Sequence, residues 1–399
     1  MLFAVLLSVA IGVGHPTTCN DDLQLYADAN NVFGLRLLQQ LPYQENHVFI
    51  SPFSIGVAVA MVYDGAEGVS KNELYKVLGY ESAGLRGEDS VLSSVREALQ
   101  NASGVSDGIL LETANAVLVK KGYPVLEHYL ADLKEVFQAR LEEVDFERNG
   151  YGVIADIDQW VSEKTNGKIS HVVDSLPADT VMFIMNAIYF KGEWQVKFDE
   201  ANTTQLPFYD NGETSKLVDT MFSHDKYGYA SDNGLNVDVL ELPYKGKDFS
   251  MAVVLPRERQ GLSDVIRSLT ADSLRATLNS VFRTEMKLKI PKFKLESEYS
   301  IVDPLKDLGA SSIFGDSADL SGISGFRDLY VSDVLHKAVV EVNEEGSEAS
   351  AFTGVIVRPL SAGPPAEQTL EVHVDHPFLF CIRDVRTNLI LFLGVVNEL

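Results

Sequence analysis

The sequence predicts an α+β fold with much sheet, organised as one intimately mixed domain. Three observations point there. Helix-period and strand-like apolar segments alternate from end to end. Hydrophobic residues fill 46% of the 399 positions, enough for a large core. No internal repeat, low-complexity tract or long Pro/Gly/Ser linker interrupts the alternation.

Taken in order, residues 1–14 (MLFAVLLSVAIGVG) carry no charge and hold an apolar run of 12, Leu2 to Val13. The run is short for a bilayer but has the length of a signal-peptide core, and the small pair Gly12 and Gly14 predicts cleavage before His15. A basic n-region is missing, and a buried amino-terminal strand is the alternative. Ala29, Val32, Phe33 and Leu37 fall at helical spacing until Pro42. Ile154, Ile157 and Val161 form a second helical face, stopped by the left-handed cap of Asn166-Gly167. Val265, Ile266 and Leu269 begin a third. Val181–Phe190 and Met251–Leu255 are apolar, β-favouring runs with the length of buried strands. Asp210-Asn211-Gly212 has hairpin chemistry, because Asn-Gly accepts positive φ at both central positions. Val339 to Val342 and Leu389 to Val396 add strands near the carboxyl end.

Asp plus Glu number 57 against 33 Lys plus Arg, a net charge of −24. A field of that sign repels a phosphate backbone, so nucleic acid is not an expected partner. Two cysteines, Cys19 and Cys381, exclude a disulfide scaffold and zinc-finger arrays; they can pair with each other or stay free. No run after the leader is long and apolar enough for a membrane helix, so no membrane partner is expected. Sequons at Asn101 and Asn202, candidate glycosylation sites, agree with a secreted, extracellular protein.

No nucleophile elbow, H-E-x-x-H pair, phosphate-binding loop, dinucleotide turn or EF-hand loop occurs, so the chain does not read as an enzyme and implies no cofactor. His373, Asp375 and His376 are the histidine cluster. On a strand the first two share a face and the third points away, which favours a solvated strand end over a metal site. Residues 283–294 hold five basic residues against one acidic. In extended form Lys287 and Lys289 would share a face able to attract a polyanion, although a charged strand face without a partner is the more ordinary reading.

The stretch Glu344 to Ser361 reads EEGSEASAFTGVIVRPLS. Every second residue from Ser347, namely Ala349, Ala351, Thr353, Val355 and Val357, is small or β-branched and uncharged. The other parity holds Glu348, Ser350, Phe352, Gly354, Ile356 and Arg358. That is the period-two division of a strand with one buried face. Yet Gly346, Gly354, Pro359, Gly363, Pro364 and Pro365 flank or interrupt it as in an exposed loop. The segment suits two states, a loop first and an inserted strand later. On pattern alone an ordinary edge strand followed by a Pro-rich turn is preferred.

The segment resembles the hinge and reactive-centre loop of a serpin, and the resemblance covers nearly the whole mature chain. Ile50-Ser51-Pro52-Phe53-Ser54-Ile55 is similar to the family's early serine motif. Asn115-Ala116, Trp160-Val161 with Thr165-Asn166-Gly167-Lys168-Ile169, and Asn186-Ala187-Ile188-Tyr189-Phe190-Lys191-Gly192 with Trp194 follow in family order. Leu240-Glu241-Leu242-Pro243-Tyr244, Pro291-Lys292-Phe293, His336-Lys337-Ala338 and His376-Pro377-Phe378 complete the series. The texture also resembles secreted arthropod serpins of the tick-saliva type.

The resemblance implies a single serpin domain over 15–399, with three β-sheets, about nine helices and a reactive-centre loop at about 344–365. It implies a suicide substrate: a target serine protease attacks the loop, and the cleaved loop inserts into the main sheet with the protease still attached in a covalent complex. The hinge would be Glu344, Glu345, Gly346, Ser347, Glu348, Ala349, Ser350 and Ala351. A charged or bulky group at a buried position would slow insertion; Phe352 departs from the family's usual small residue but has outward parity. Family spacing, sixteen residues on from Glu344, puts the scissile bond at Leu360–Ser361, with Val357, Arg358 and Pro359 in the recognition stretch. Leu360 favours chymotrypsin-like or elastase-like proteases. Arg358 is the trypsin-like alternative, disfavoured because Pro359 would follow that bond. Ser51, Ser54, Asn186 and His336 match the family's buried polar shutter, and Trp194 matches the breach where insertion begins. A non-inhibitory carrier or chaperone is the competing reading. A heparin-type activator is not expected, because the matching region has Glu81, Glu88, Asp89 and Glu97 against Arg86 and Arg96. A monomer is expected.

Overall fold

The computed structural model describes residues 19–102, 104–106, 108–177, 180–347 and 369–399. Residues 1–18, with the expected leader, Ser103 of the first sequon and residues 348–368, with most of the expected reactive-centre loop, lie outside them. So do Glu348, Ala349, Ser350, Ala351, Val357, Arg358, Pro359, Leu360 and Ser361.

Where the code is local, the expected elements form. The first helical face lies in Cys19–Leu38. The second lies in Phe146–Lys164, which ends as Asn166 and Gly167 take φ of 51° and 77°. Asn211 and Gly212 have φ of 53° and 77° and join Thr204–Asp210 to Thr214–Asp232 as an antiparallel hairpin. The third helix is short, Leu262–Ser268, and a second begins at Ala271 under a Thr270–Ser273 capping box. The four strand runs fall in Met182–Glu193, Phe249–Pro256, Val334–Val342 and Ile390–Val396.

The expected α+β architecture is present, and its hydrogen bonding divides as follows. Among the described residues there are eleven α-helical segments and two hydrogen-bonded sheets, of nine and seven strands. Strand Thr214–Asp232 joins what would otherwise be two sheets. Over 19 residues it pairs first with Thr204–Asp210, then with Phe282–Pro291, and finally with Val237–Pro243, carrying one ladder from layer to layer.

Helix Pro52–Gly65 packs against both sheets, touching Ile390–Val396 on one side and Met182–Glu193 on the other. All 14 of its residues are buried, which explains why it is apolar all round. The Ser51 hydroxyl caps it, accepting the Ser54 N–H at 3.1 Å. In the seven-stranded sheet, Val334–Val342 and Met182–Glu193 lie side by side between Phe293–Ser300 and Ile109–Lys120. Ile157, Val161, Ile169, Val172 and Val173, from Phe146–Lys164 and the segment after it, cover its outer face against Met185, Ala187 and Val339.

Candidate functional site

Met182–Glu193 and Val334–Val342 run parallel, paired from Ile184 opposite Val334 to Tyr189 opposite Val339. Beyond that point they part, and the chain turns back to fill the opening. Gly346 sits opposite Glu193; Ser347 sits opposite Gly192 on one side and Val342 on the other. Gly346 has φ of 151°, and a Cβ there would lie 1.9 Å from the Gly192 carbonyl oxygen. Only glycine fits. Ser347 is buried on the inner face, its hydroxyl 2.7 Å from that of Tyr244.

Ion pairs fasten Glu344 and Glu345, just before this pair, to neighbouring segments. Glu344 is only 4% exposed, ion-paired with Lys292 at 2.8 Å and bonded by the Thr203 hydroxyl at 2.7 Å. Burial pushes its carboxyl up, but the Lys292 and Thr203 bonds outweigh burial and hold it below the usual range. Glu345 pairs with Lys197, whose ammonium is raised chiefly by that bond.

Trp194 closes the same corner. Its indole N–H donates to the Asn343 carbonyl at 2.8 Å, its backbone N–H to the Glu345 carbonyl at 2.9 Å. Its ring stacks on Tyr244, centroids 4.7 Å apart and 7° from parallel. The Asn343 side-chain oxygen accepts the N–H groups of Glu345 and Gly346 at 3.1 and 3.3 Å.

Lower on the inner face, three strands contribute one polar residue each in register: Asn115 opposite Asn186, and Asn186 opposite His336. The Asn186 amide donates to Asn115, whose own amide donates to the Phe137 carbonyl at 3.1 Å. The Ser51 N–H donates to His336 Nε2 at 3.0 Å, and the Ser51 hydroxyl to the Leu391 carbonyl at 2.6 Å. Since Nε2 accepts, the imidazole proton sits on Nδ1. That Nδ1 and Asn186 Oδ1 are both buried and unpartnered, as is the Ser54 hydroxyl. Burial drives the His336 pKa down to about 3, so the ring is neutral. The structure thus gathers Ser51, Ser54, Asn186 and His336 and adds Asn115. An asparagine inside an apolar strand run was the available signal for that addition, since a buried amide needs partners.

The His373–Asp375–His376 cluster is not a solvated strand end. His376 is buried, its Nδ1 2.7 Å from Asp375 and its Nε2 2.6 Å from the Pro256 carbonyl, because the next strand, Phe378–Asp384, carries it straight into the core. Among the described residues no group of three or more His, Cys, Asp or Glu could hold a metal ion. Lys287 and Lys289 do share a strand face, but Lys287 pairs with Glu371 at 2.7 Å. Asn101 and Asn202 are exposed. No described helix is long and apolar enough to cross a membrane.

The central sheet is thus opened at one end and filled there by Gly346 and Ser347 of the chain itself. The family model described as Serpin (serine protease inhibitor) matches residues 28–399, and the chain belongs to the serpin family of protease inhibitors. It is 42% identical over 379 residues to Iripin-8 of Ixodes ricinus, covering 94% of this chain and 93% of that protein. It is 40% identical over 373 residues to Intracellular coagulation inhibitor 2 of Tachypleus tridentatus, covering 93% and 90%. Among solved structures it is similar to Serpin48 of Tenebrio molitor, with a TM-score of 0.81 and 30% identity over 97% of this chain and 100% of that one.

Proposed function

We propose that the protein is a secreted suicide-substrate inhibitor of chymotrypsin-like or elastase-like serine proteases, trapping the acyl-enzyme after cleavage at Leu360–Ser361. The observation that carries this reading is the pairing of Gly346–Ser347 between two parting strands. Continuing that register is arithmetic. In an inserted strand Ala349 would fall between Phe190 and Val340, Ala351 between Ile188 and Ala338, and Thr353 between Asn186 and His336. The small, uncharged parity of 347–357 would therefore meet the buried inner face throughout. At Thr353 a hydroxyl arrives where Asn186 Oδ1 lacks a donor and His336 Nδ1–H lacks an acceptor. Insertion would satisfy two buried polar atoms that the uncleaved state leaves unpaired.

In the reaction the protease serine attacks the Leu360 carbonyl. The bond to Ser361 breaks, Ser361 leaves as a new amino terminus, and Leu360 stays as an ester on the protease. Insertion from Ser347 onward then carries the ester-linked enzyme along the sheet. Val357, Arg358 and Pro359 would lie in the protease's recognition cleft, and Pro359 argues against cleavage after Arg358. Residues 1–14 and the exposed asparagines Asn101 and Asn202 support secretion and glycosylation.

The test is incubation with cathepsin G, chymotrypsin, elastase and trypsin, read by denaturing gels and mass spectrometry of the released peptide. A gel-stable complex with cleavage after Leu360 is expected. Cleavage without complex would point to a non-inhibitory serpin, and a trypsin complex cut after Arg358 would overturn the specificity.

A further inference from the structure

Segment 165–177 follows helix Phe146–Lys164 across the outer face of the sheet, where Ile169, Val172 and Val173 pack over the strands that flank the opening. It is fastened on both sides. From Val334–Val342, Lys337 donates to the His171 carbonyl at 2.9 Å and pairs with Glu298 at 3.1 Å and Glu296 at 3.8 Å. From the helix, Asp158 accepts the Val172 N–H at 2.8 Å through one oxygen and holds His171 Nδ1 at 2.7 Å through the other. His171 Nε2 lies 2.9 Å from Asp174. A strand inserted beside Val334–Val342 would have to pass beneath this strap.

We propose that His171 is a proton-operated fastener of the strap, closed when its ring is doubly protonated and loosened when it is not; this rests on the inhibitor reading above. Both ring nitrogens face carboxylate oxygens, and only an imidazolium can donate to both. A neutral ring turns one lone pair toward a carboxylate and loses that bond. The Asp174 bond first and the Asp158 bond second raise the pKa of the ring. The strap is therefore fully fastened in mild acid and loosens as pH rises through that raised value. The charged groups that the ring meets are Asp158 from the helix and Asp174 from the strap, while Lys337, paired with Glu296 and Glu298, meets the His171 carbonyl from the sheet. No second histidine is among them.

The test uses intact protein and a labelled synthetic peptide of residues 347–357, whose annealing into the sheet is followed by native gel mobility. Annealing should be about two- to fivefold faster at about pH 8.5 than at about pH 6. His171→Gln should anneal at the faster rate at both. Asp174→Asn, at a side chain 92% exposed and so harmless to folding, should move the rise to lower pH. A wild-type pH profile retained in His171→Gln overturns the proposal, as does a flat profile in the wild type. A wild type that takes up no peptide at any pH overturns the inhibitor reading itself, which separates the two failures.

Discussion

Gly346→Ala probes the hinge most directly. The added methyl would sit 1.9 Å from the Gly192 carbonyl oxygen and 2.8 Å from Glu193 Cα, both backbone atoms of a central strand that cannot swing aside. Keeping the pair in place also demands φ near 151° from an L-residue, a strain of about 1–3 kcal/mol. Expelling the pair instead breaks the Ser347–Tyr244 bond, and an unpaired buried hydroxyl costs about 1–3 kcal/mol. Either route costs on the order of 3 kcal/mol, and the fully inserted strand needs residue 346 in the same place. Where the pair is expelled, insertion must force residue 346 back into that place, and the race against hydrolysis of the acyl-enzyme slows by about 100-fold. The variant should then be cleaved as a substrate, releasing active protease, and its cleaved form should gain no thermal stability. Titration of protease activity against inhibitor, with gels of the products, reads this out. Trapping at wild-type stoichiometry would refute the close-approach reasoning.

Four further outcomes follow from the structure. His336→Ala should lose about 1–3 kcal/mol in denaturant unfolding, because the Ser51 N–H loses its acceptor in a dry site; an unchanged midpoint would remove His336 from any structural role. With a folded pKa of about 3 against 6.5, the unfolded state binds a proton that folded His336 refuses. Its contribution is present above pH 6.5 and is lost at up to about 1.4 kcal/mol per unit as pH falls below that. A wild type and His336→Gln with the same stability slope from about pH 6 to 4 would contradict this. Tyr244→Phe should strand the Ser347 hydroxyl at about 1–2 kcal/mol and alter the fluorescence of Trp194, stacked 4.7 Å away; a silent spectrum would count against coupling of hinge and indole. Burial pushes the Cys381 thiol up to about 12, so thiol reagents should label it only after unfolding, and rapid labelling of native protein would contradict its placement.

How much was legible in advance differs between particular residues. Asn211-Gly212 and Asn166-Gly167 announced their turns because positive φ is a property of a dipeptide. The 347–357 alternation reads as a strand with one buried face, and of it the described residues include Ser347 alone, buried between Met182–Glu193 and Val334–Val342. The family motifs pointed in order to Ser51, Ser54, Asn186 and His336, which the structure brings together. None of this located Asn115 beside Asn186, since the two are 71 residues apart and only strand register joins them. Nor did it show His376 in the core, or Thr214–Asp232 fusing two ladders into one.

The sequence by itself determined the class of fold, the family and the turns. These rest on interactions within a few residues or on composition along one strand. Only the tertiary structure decided that the hinge already occupies the sheet, that only glycine fits at 346, that His336 is neutral, and that His171 bridges two carboxylates. The reason is physical. Hydrogen bonding, desolvation and close backbone approach depend on which distant segments are brought within a few ångströms, and that is fixed by the register of strands far apart in the chain.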